Sequence, residues 1–248
     1  MKHILHLLLI IPFLVSCSPQ YTINGSSSVS LLDGKMLYLK VVKDNNLCNY
    51  DSCEVVHGLF HFQGSYDSTM MATLFMDDES LMPLVIEKGD ITIKIDDSEQ
   101  IVFGTPLNEK LYDFIKSKTQ LDNQKDELSH KESQMIMDGV DQNVIEIRLT
   151  DEAKQIVHQE DVLSTNFITT NFDNVLGPGV FMIICSNYKY PILTPQIEDI
   201  MSKATPYFKA NKFVQDYYKT ARENMKRMGY TSTDDDILST SSDTVSDE

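Results

Sequence analysis

The sequence predicts an α+β protein, in which an N-terminal antiparallel β-sandwich or open barrel over residues 17–104 is followed by an α-helical domain over residues 105–229. Three observations predict it. Short strand-like runs alternate with turns up to about residue 105. Beyond it, apolar residues recur at three- and four-residue steps. Helix-start signals of the Thr-Pro kind then take over from the turns.

The strands come in order. Met36 to Val42 is the first strand-like run, followed by Cys53 to Val56 and Leu59 to Phe62. Between the last two, His57-Gly58 fits a tight hairpin turn in which glycine supplies a positive φ. Thr69 to Met76, Leu81 to Glu87, Ile91 to Ile95 and Ile101 to Phe103 complete the set. Ile91, Ile93 and Ile95 alternate with Thr92 and Lys94, the pattern of a strand with one wet face. Asp77-Asp78-Glu79 and Asp96-Asp97 read as acidic turns between strands.

The helices follow. Thr105-Pro106 and Thr194-Pro195 each offer an N-cap with proline at the first helical position. Leu149, Ala153, Ile156, Val157, Leu163, Phe167 and Ile168 mark one face of a long amphipathic helix. Gly177-Pro178-Gly179 should break the chain before a buried helix starting at Val180. A last helix runs from Lys212 to about Met228, with Phe213, Tyr217, Ala221 and Met225 on one side.

Both ends stand apart from the fold. Residues 1–16 read as a signal peptide: Lys2 is followed by an apolar run, Ile4 to Val15, that is shorter than the roughly 20 residues a bilayer crossing needs. The run ends Leu14-Val15-Ser16-Cys17, which resembles a bacterial lipobox. That resemblance implies cleavage before Cys17 and acylation of its thiol by diacylglycerol, usually with a further palmitate-type chain on the new amino group. Two or more acyl chains give stable anchoring. The expected address is the cell envelope, most simply the outer membrane facing the periplasm, with the cell surface as the alternative. Residues 230–248, rich in Ser, Thr and Asp, read as a disordered acidic tail.

Charge excludes one class of function. The formal net charge is -16, and removing residues 1–16, with one Lys and no acid, makes it -17. Such a field opposes nucleic acid and other phosphate partners. Hydrophobic residues make up 42% of the chain, an ordinary share for a globular protein, and tryptophan is absent.

Three cysteines remain after Cys17. Cys48 and Cys53 are close enough in sequence to bridge in an oxidising compartment, with two free thiols as the other reading. Their spacing matches neither a zinc ribbon nor a thioredoxin motif. Cys185, in the apolar run Val180 to Cys185, is expected to be a small core residue.

Asp51-Ser52-x-x-Val55-x-x-Gly58-x-Phe60-x-Phe62-x-Gly64 resembles the core signature of the domain-of-unknown-function family 4369. Ile86 to Ile93 is similar to a second hallmark of that family, and Gly104-Thr105-Pro106-Leu107-Asn108 to the point where its domain hands over to helices. Asn171-Phe172-x-Asn174-x-Leu176-Gly177 and Tyr190-Pro191-x-Leu193-Thr194-Pro195 are similar to the region that follows it in many bacterial lipoproteins. The resemblance covers roughly residues 20–120 and implies a β-rich domain that often precedes a thioredoxin-like one. Here Trp-Cys-x-x-Cys is missing, so redox chemistry does not carry over from the family.

No catalytic motif stands out along the chain. Phosphate-binding glycine loops and the Gly-x-Ser-x-Gly elbow do not occur in it. His57 and His61 are four apart but straddle a turn, so they are expected to be a turn residue and a wet-face residue rather than metal ligands. Tyr188, Tyr190, Tyr207, Phe208, Tyr217 and Tyr218 are expected to pack helices rather than build a ligand platform. No metal, cofactor or catalytic residue is expected. The reading is a membrane-anchored, non-catalytic binding or scaffolding module with an envelope protein or an undefined small molecule as partner. The alternative is a redox-linked accessory to a thioredoxin-like protein, using Cys48 and Cys53.

Overall fold

The computed structural model describes residues 20–229. Eight strands come first: β1 (Gln20–Ser27), β2 (Met36–Lys43), β3 (Asn46–Glu54), β4 (Leu59–Ser65), β5 (Met70–Met76), β6 (Glu79–Ile86), β7 (Gly89–Ile95) and β8 (Gln100–Phe103). They form two four-stranded sheets, ordered β4-β1-β7-β8 and β3-β2-β5-β6. The fold is therefore a sandwich rather than a barrel. The second sheet is antiparallel throughout, whereas β1 and β7 run parallel, with Ile23 opposite Ile91. The first sheet is thus mixed.

Alternation drives the strands together. Tyr21 and Ile23 of β1, Leu37 and Leu39 of β2, and Ile91, Ile93 and Ile95 of β7 turn inward and are buried. Their polar neighbours face water, which is what a two-residue side-chain period requires of a half-buried sheet. One strand, β1, lies outside the sequence reading, and β3 is met there only at its end, through the run Cys53 to Val56. β1 carries the weakly apolar Thr22, Asn24, Gly25 and Ser26, and β3 is polar along most of its length. Both are held by register with stronger neighbours.

Turn chemistry sets the connections. Asp44 and Asn45 both take positive φ, 50° and 61°, so β2 and β3 close on a two-residue turn that matches strand twist. His57 and Gly58 do the same at 52° and 72°, and Val56 pairs with Leu59 across them. That turn joins strands of different sheets, so it is a corner of the sandwich rather than a hairpin within one sheet. A Cβ at position 58 would lie 2.5 Å from the Ser27 carbonyl oxygen.

Six helices follow: α1 (Pro106–Met137), α2 (Gln142–Thr169), α3 (Leu176–Ser186), α4 (Pro195–Lys203), α5 (Pro206–Ala210) and α6 (Lys212–Arg227). Thr194 caps α4 as its sequence predicts, accepting from the Ile197 N–H at 3.2 Å. The break expected at Gly177-Pro178-Gly179 is instead the first turn of α3. Proline needs no donor there, and both glycines allow close packing: Gly177 sits on the Asn171 carbonyl and Gly179 on the Met71 side chain.

Helices α1 and α2 make a long antiparallel arm. Its base is buried through Leu111, Tyr112 and Phe114, and Phe114 stacks on Phe167 with centroids 4.4 Å apart. Further out the arm relies on ion pairs, Lys118 and Lys125 meeting Glu160, and Lys131 meeting Glu152. One buried cluster runs from Ile23 and Leu84 in the sandwich through Leu111 to Phe181, Phe208 and Ala221 in the helices.

Candidate functional site

The signature segments of the sequence converge, and their roles are architectural. Tyr21 lies opposite Gly64 and Gly25 opposite Phe60 in the β1–β4 register. Each glycine is covered by the ring across from it, the Tyr21 hydroxyl lying 2.9 Å from where a Gly64 Cβ would be. Aromatic cover of a strand glycine pins register and restores lost burial. The Tyr21 hydroxyl donates to Asp51 Oδ2 at 2.8 Å, tying the two sheets together. Burial and that carboxylate raise the Tyr21 pKa well above the usual phenol value.

The second and third signature segments meet where α1 leaves the sandwich. Asn108, fully buried, accepts from the Val85 N–H and donates to the Val85 carbonyl, both at 2.8 Å. Its side chain thereby pairs with the edge of β6 as a neighbouring strand would. One turn on, the Tyr112 hydroxyl donates to the Pro83 carbonyl at 2.9 Å. An exposed edge invites unwanted pairing, and the start of α1 closes this one. Thr105 holds the N-cap position, yet its hydroxyl accepts from Asn108 Nδ2. Glu87 takes the capping role instead, its Oε1 accepting from the Leu107 N–H at 2.9 Å and the Asn108 N–H at 3.2 Å. A carboxylate at a helix N-terminus is favoured by the helix dipole. Gly89 and Gly104, at φ +128° and +96°, leave the room that Thr105 and the Asp90 carbonyl occupy.

The best-formed concavity lies elsewhere, in a cleft of about 480 Å³ between the sandwich and the helices. The β2–β3 turn, with Lys43, Asp44 and Asn45, makes one lip, and Tyr207, Asn211 and Lys212 make the other. Its floor is apolar: Val41, Met70, Met71, Met182 and Phe213. Asn45 Nδ2 donates to Asp216 Oδ2, clasping the turn to α6. Lys212 pairs with the same carboxylate and holds its pKa below the usual range. Tyr50, on the sandwich wall, donates to the Ser65 carbonyl at 3.1 Å; burial, then Asp67 and Asp51, raise its pKa. An apolar floor with a few polar groups at the rim is the usual make-up of a ligand site, and methionines let such a floor adapt its shape.

Of the residues singled out from sequence, few lie in this cleft. Cys17, the signal peptide and the acidic tail lie outside the described residues. Cys48 and Cys53 stand five positions apart on β3, about 16 Å at the rise of an extended strand, and both thiols are free. A disulfide needs Cα atoms within about 7 Å, so nearness in sequence did not become nearness in space. Burial raises the Cys53 pKa to about 11 and that of Cys185 to about 12. His61 bonds Asn24 Oδ1 at 3.0 Å from an exposed position, and His57 occupies the turn. Among the described residues no three His, Cys, Asp or Glu side chains gather as metal ligands would. The aromatic cluster divides: Phe208 and Tyr217 are core, while Tyr207 reaches the cleft and Tyr218 a groove beside α6. As a site the cleft escaped the sequence reading, in which Tyr207 and Phe213 stand only as helix-packing residues. Only Asp44-Asn45, a dipeptide suited to positive φ, signalled its lip.

Fold and junction together define a β-sandwich domain keyed to a helical body by turns, a capped strand edge and closely covered glycines. Residues 21–111, which hold the sandwich and the first turn and a half of α1, match the model of the family described as Domain of unknown function (DUF4369). No curated protein and no solved structure matches the chain.

Proposed function

We propose that the chain is exported, cut before Cys17 and held at a bacterial envelope membrane by lipid on that cysteine, and that the anchored body is a non-catalytic binding module. The cleft between sandwich and helices carries the binding half of this reading. It joins an adaptable apolar floor to a polar mouth that carries Lys43 and Lys212, the latter shared with Asp216, beside Asp44 and Asp67. A ligand with an apolar body and an anionic or hydrogen-bonding end fits that surface. The leader and lipobox support the anchor. Among the described residues no helix is long and apolar enough to cross a membrane.

Two measurements test the halves separately. Intact mass and detergent partitioning of the mature product should show acylation that Cys17→Ser abolishes; an unchanged mass and fractionation in that variant would remove the anchor. For the cleft, the fluorescent probe 1-anilinonaphthalene-8-sulfonate offers an apolar ring and a sulfonate. It should bind at one saturable site and lose about tenfold in affinity, or 1.4 kcal/mol, in Met182→Ala or Tyr207→Ala. Binding that neither substitution weakens would place the site elsewhere.

A further inference from the structure

The β2–β3 ribbon reaches past the sheet that carries it. Strand β2 pairs with β5 only as far as Val41, which lies opposite Ala72. Beyond that point Val42 faces Leu47 and Lys43 faces Asn46, and among the described residues no third strand lies beside them. A two-stranded ribbon standing alone is marginal in water. Val41 is also the last β2 side chain in the buried cluster, for Val42 and Leu47 are 43% and 51% exposed. The tip therefore has neither sheet nor core to hold it. That is the make-up of a segment that opens locally while the rest stays folded.

A pivot lies close to where the overhang begins. Leu39 pairs with Asp51 and Lys40 with Asn49, so Tyr50 is an extra residue, a bulge in β3. Bulges bend a strand and re-aim a side chain. Here the Tyr50 side chain lines the cleft, and its hydroxyl donates to the Ser65 carbonyl at 3.1 Å. Across from the bulge, Lys40 is pinned to β5, its Nζ 4.4 Å from the centre of the Phe75 ring. The base of the ribbon is thus fixed on both strands, and residues 42–47 project from it. Their far end is tied across the cleft. Val42, Lys43, Asp44 and Asn45 all line it, and Asn45 Nδ2 donates to Asp216 Oδ2 on α6, the carboxylate that Lys212 also holds. The contact is exposed to solvent, and a polar contact of that kind holds weakly.

We infer that residues 42–47 are a flap that gates the cleft, pivoting at the Tyr50 bulge and latched shut by Asp216. The inference rests on the reading of the cleft as a binding site and adds how that site is entered. The latch releases, the apolar part of a ligand slides onto the methionine floor, and the flap returns with Val42 covering it.

Two experiments on the full mature chain carrying Cys17→Ser test the flap, one without a ligand and one with a probe. Without a ligand, hydrogen exchange read by mass spectrometry should find residues 42–47 opening more readily than the ribbon base at residues 36–41. Asp216→Ala removes the latch and leaves the turn intact. It should quicken exchange at residues 42–47 about threefold and leave residues 70–76 unchanged, with an unaltered circular dichroism melt showing that the variant is folded. For the second experiment, Asn45→Cys and Asp216→Cys in a Cys48→Ser background are bridged by a short reducible bis-thiosulfonate; Cys53 and Cys185 stay, half-buried and buried. Stopped-flow association of 1-anilinonaphthalene-8-sulfonate should slow at least about tenfold and recover when the bridge is reduced. Exchange at residues 42–47 no faster than at the ribbon base would overturn the flap, as would an Asp216→Ala protein that exchanges faster throughout the sheet. So would a bridged protein that takes up the probe at the unbridged rate while Met182→Ala still weakens binding. Probe binding indifferent to Met182→Ala and Tyr207→Ala would remove the binding reading alone, because the exchange measurement reports on the flap with no ligand present.

Discussion

Replacing Asn108 by alanine removes the side chain that pairs α1 with the edge of β6. In the native protein Asn108 satisfies both the N–H and the carbonyl of Val85, and it is fully buried. Alanine leaves both Val85 groups without partners in a site closed to water. Each orphaned buried group costs about 1–3 kcal/mol, and the lost volume adds to this, so a loss of about 4 kcal/mol is expected. For a body of this size each kcal/mol is worth about 2–4 °C in Tm, which places the fall at about 8–16 °C by calorimetry. Asn123→Ala, on the exposed side of α1, serves as control and should stay within about 0.5 kcal/mol. Asn108→Asp sharpens the test. A buried carboxylate can accept from Val85 N–H but cannot donate to the Val85 carbonyl until protonated. Its folded pKa is therefore raised, and the stability that protonation provides is present at low pH and lost as pH rises. That variant should be weak at pH 7 and recover toward pH 4. An Asn108→Ala protein melting within about 2 °C of the native one, or an Asn108→Asp protein indifferent to pH, would refute the junction as described.

Gly25→Val drives a branched side chain into the Phe60 ring that covers it, and should cost about 1–3 kcal/mol in urea unfolding. The cost should shrink when Phe60→Ala has already removed the ring; equal costs in both backgrounds would count against the pairing. The α1–α2 arm should loosen in acid. Burial disfavours charge on Glu160, but hydrogen bonds and attraction from Lys125 and Lys118 outweigh it and lower the Glu160 pKa. Its stabilisation is thus present above the ordinary carboxylate range and lost as pH falls through the depressed value. Protection factors for amide exchange over residues 118–160, which remove the intrinsic pH dependence of exchange, should fall below about pH 4, and protection that stays constant with pH would contradict this. Because Glu160 is partly exposed, Glu160→Gln should cost no more than about 1 kcal/mol at pH 7. Cys53, its thiol pushed up to about 11, should alkylate slowly until pH approaches that value. Mild oxidation should leave Cys48 and Cys53 unbridged in the folded protein, and a rapid intrachain bridge with native circular dichroism would require β3 to be shorter than described.

By itself the sequence determined the class of fold, the change from strands to helices after Gly104, and the turn at His57-Gly58. These are local matters: a two-residue alternation, a Thr-Pro start and a glycine with positive φ act within a few residues of themselves. The leader and the lipobox cysteine, Cys17, that we propose are likewise read from adjacent positions alone. Tertiary structure alone decided the rest. The polar strands β1 and β3 form because neighbours hold them in register, which no local pattern announces. Gly177-Pro178-Gly179 opens a helix instead of breaking one because the Asn171 carbonyl and Met71 need the space its missing side chains leave. Glu87, rather than Thr105, caps α1 because β6 delivers its carboxylate from twenty residues away. The cleft, too, arises only where distant segments meet: Lys43 and Lys212 share a mouth because the sandwich folds against the helices, a proximity that no local stretch of sequence announces.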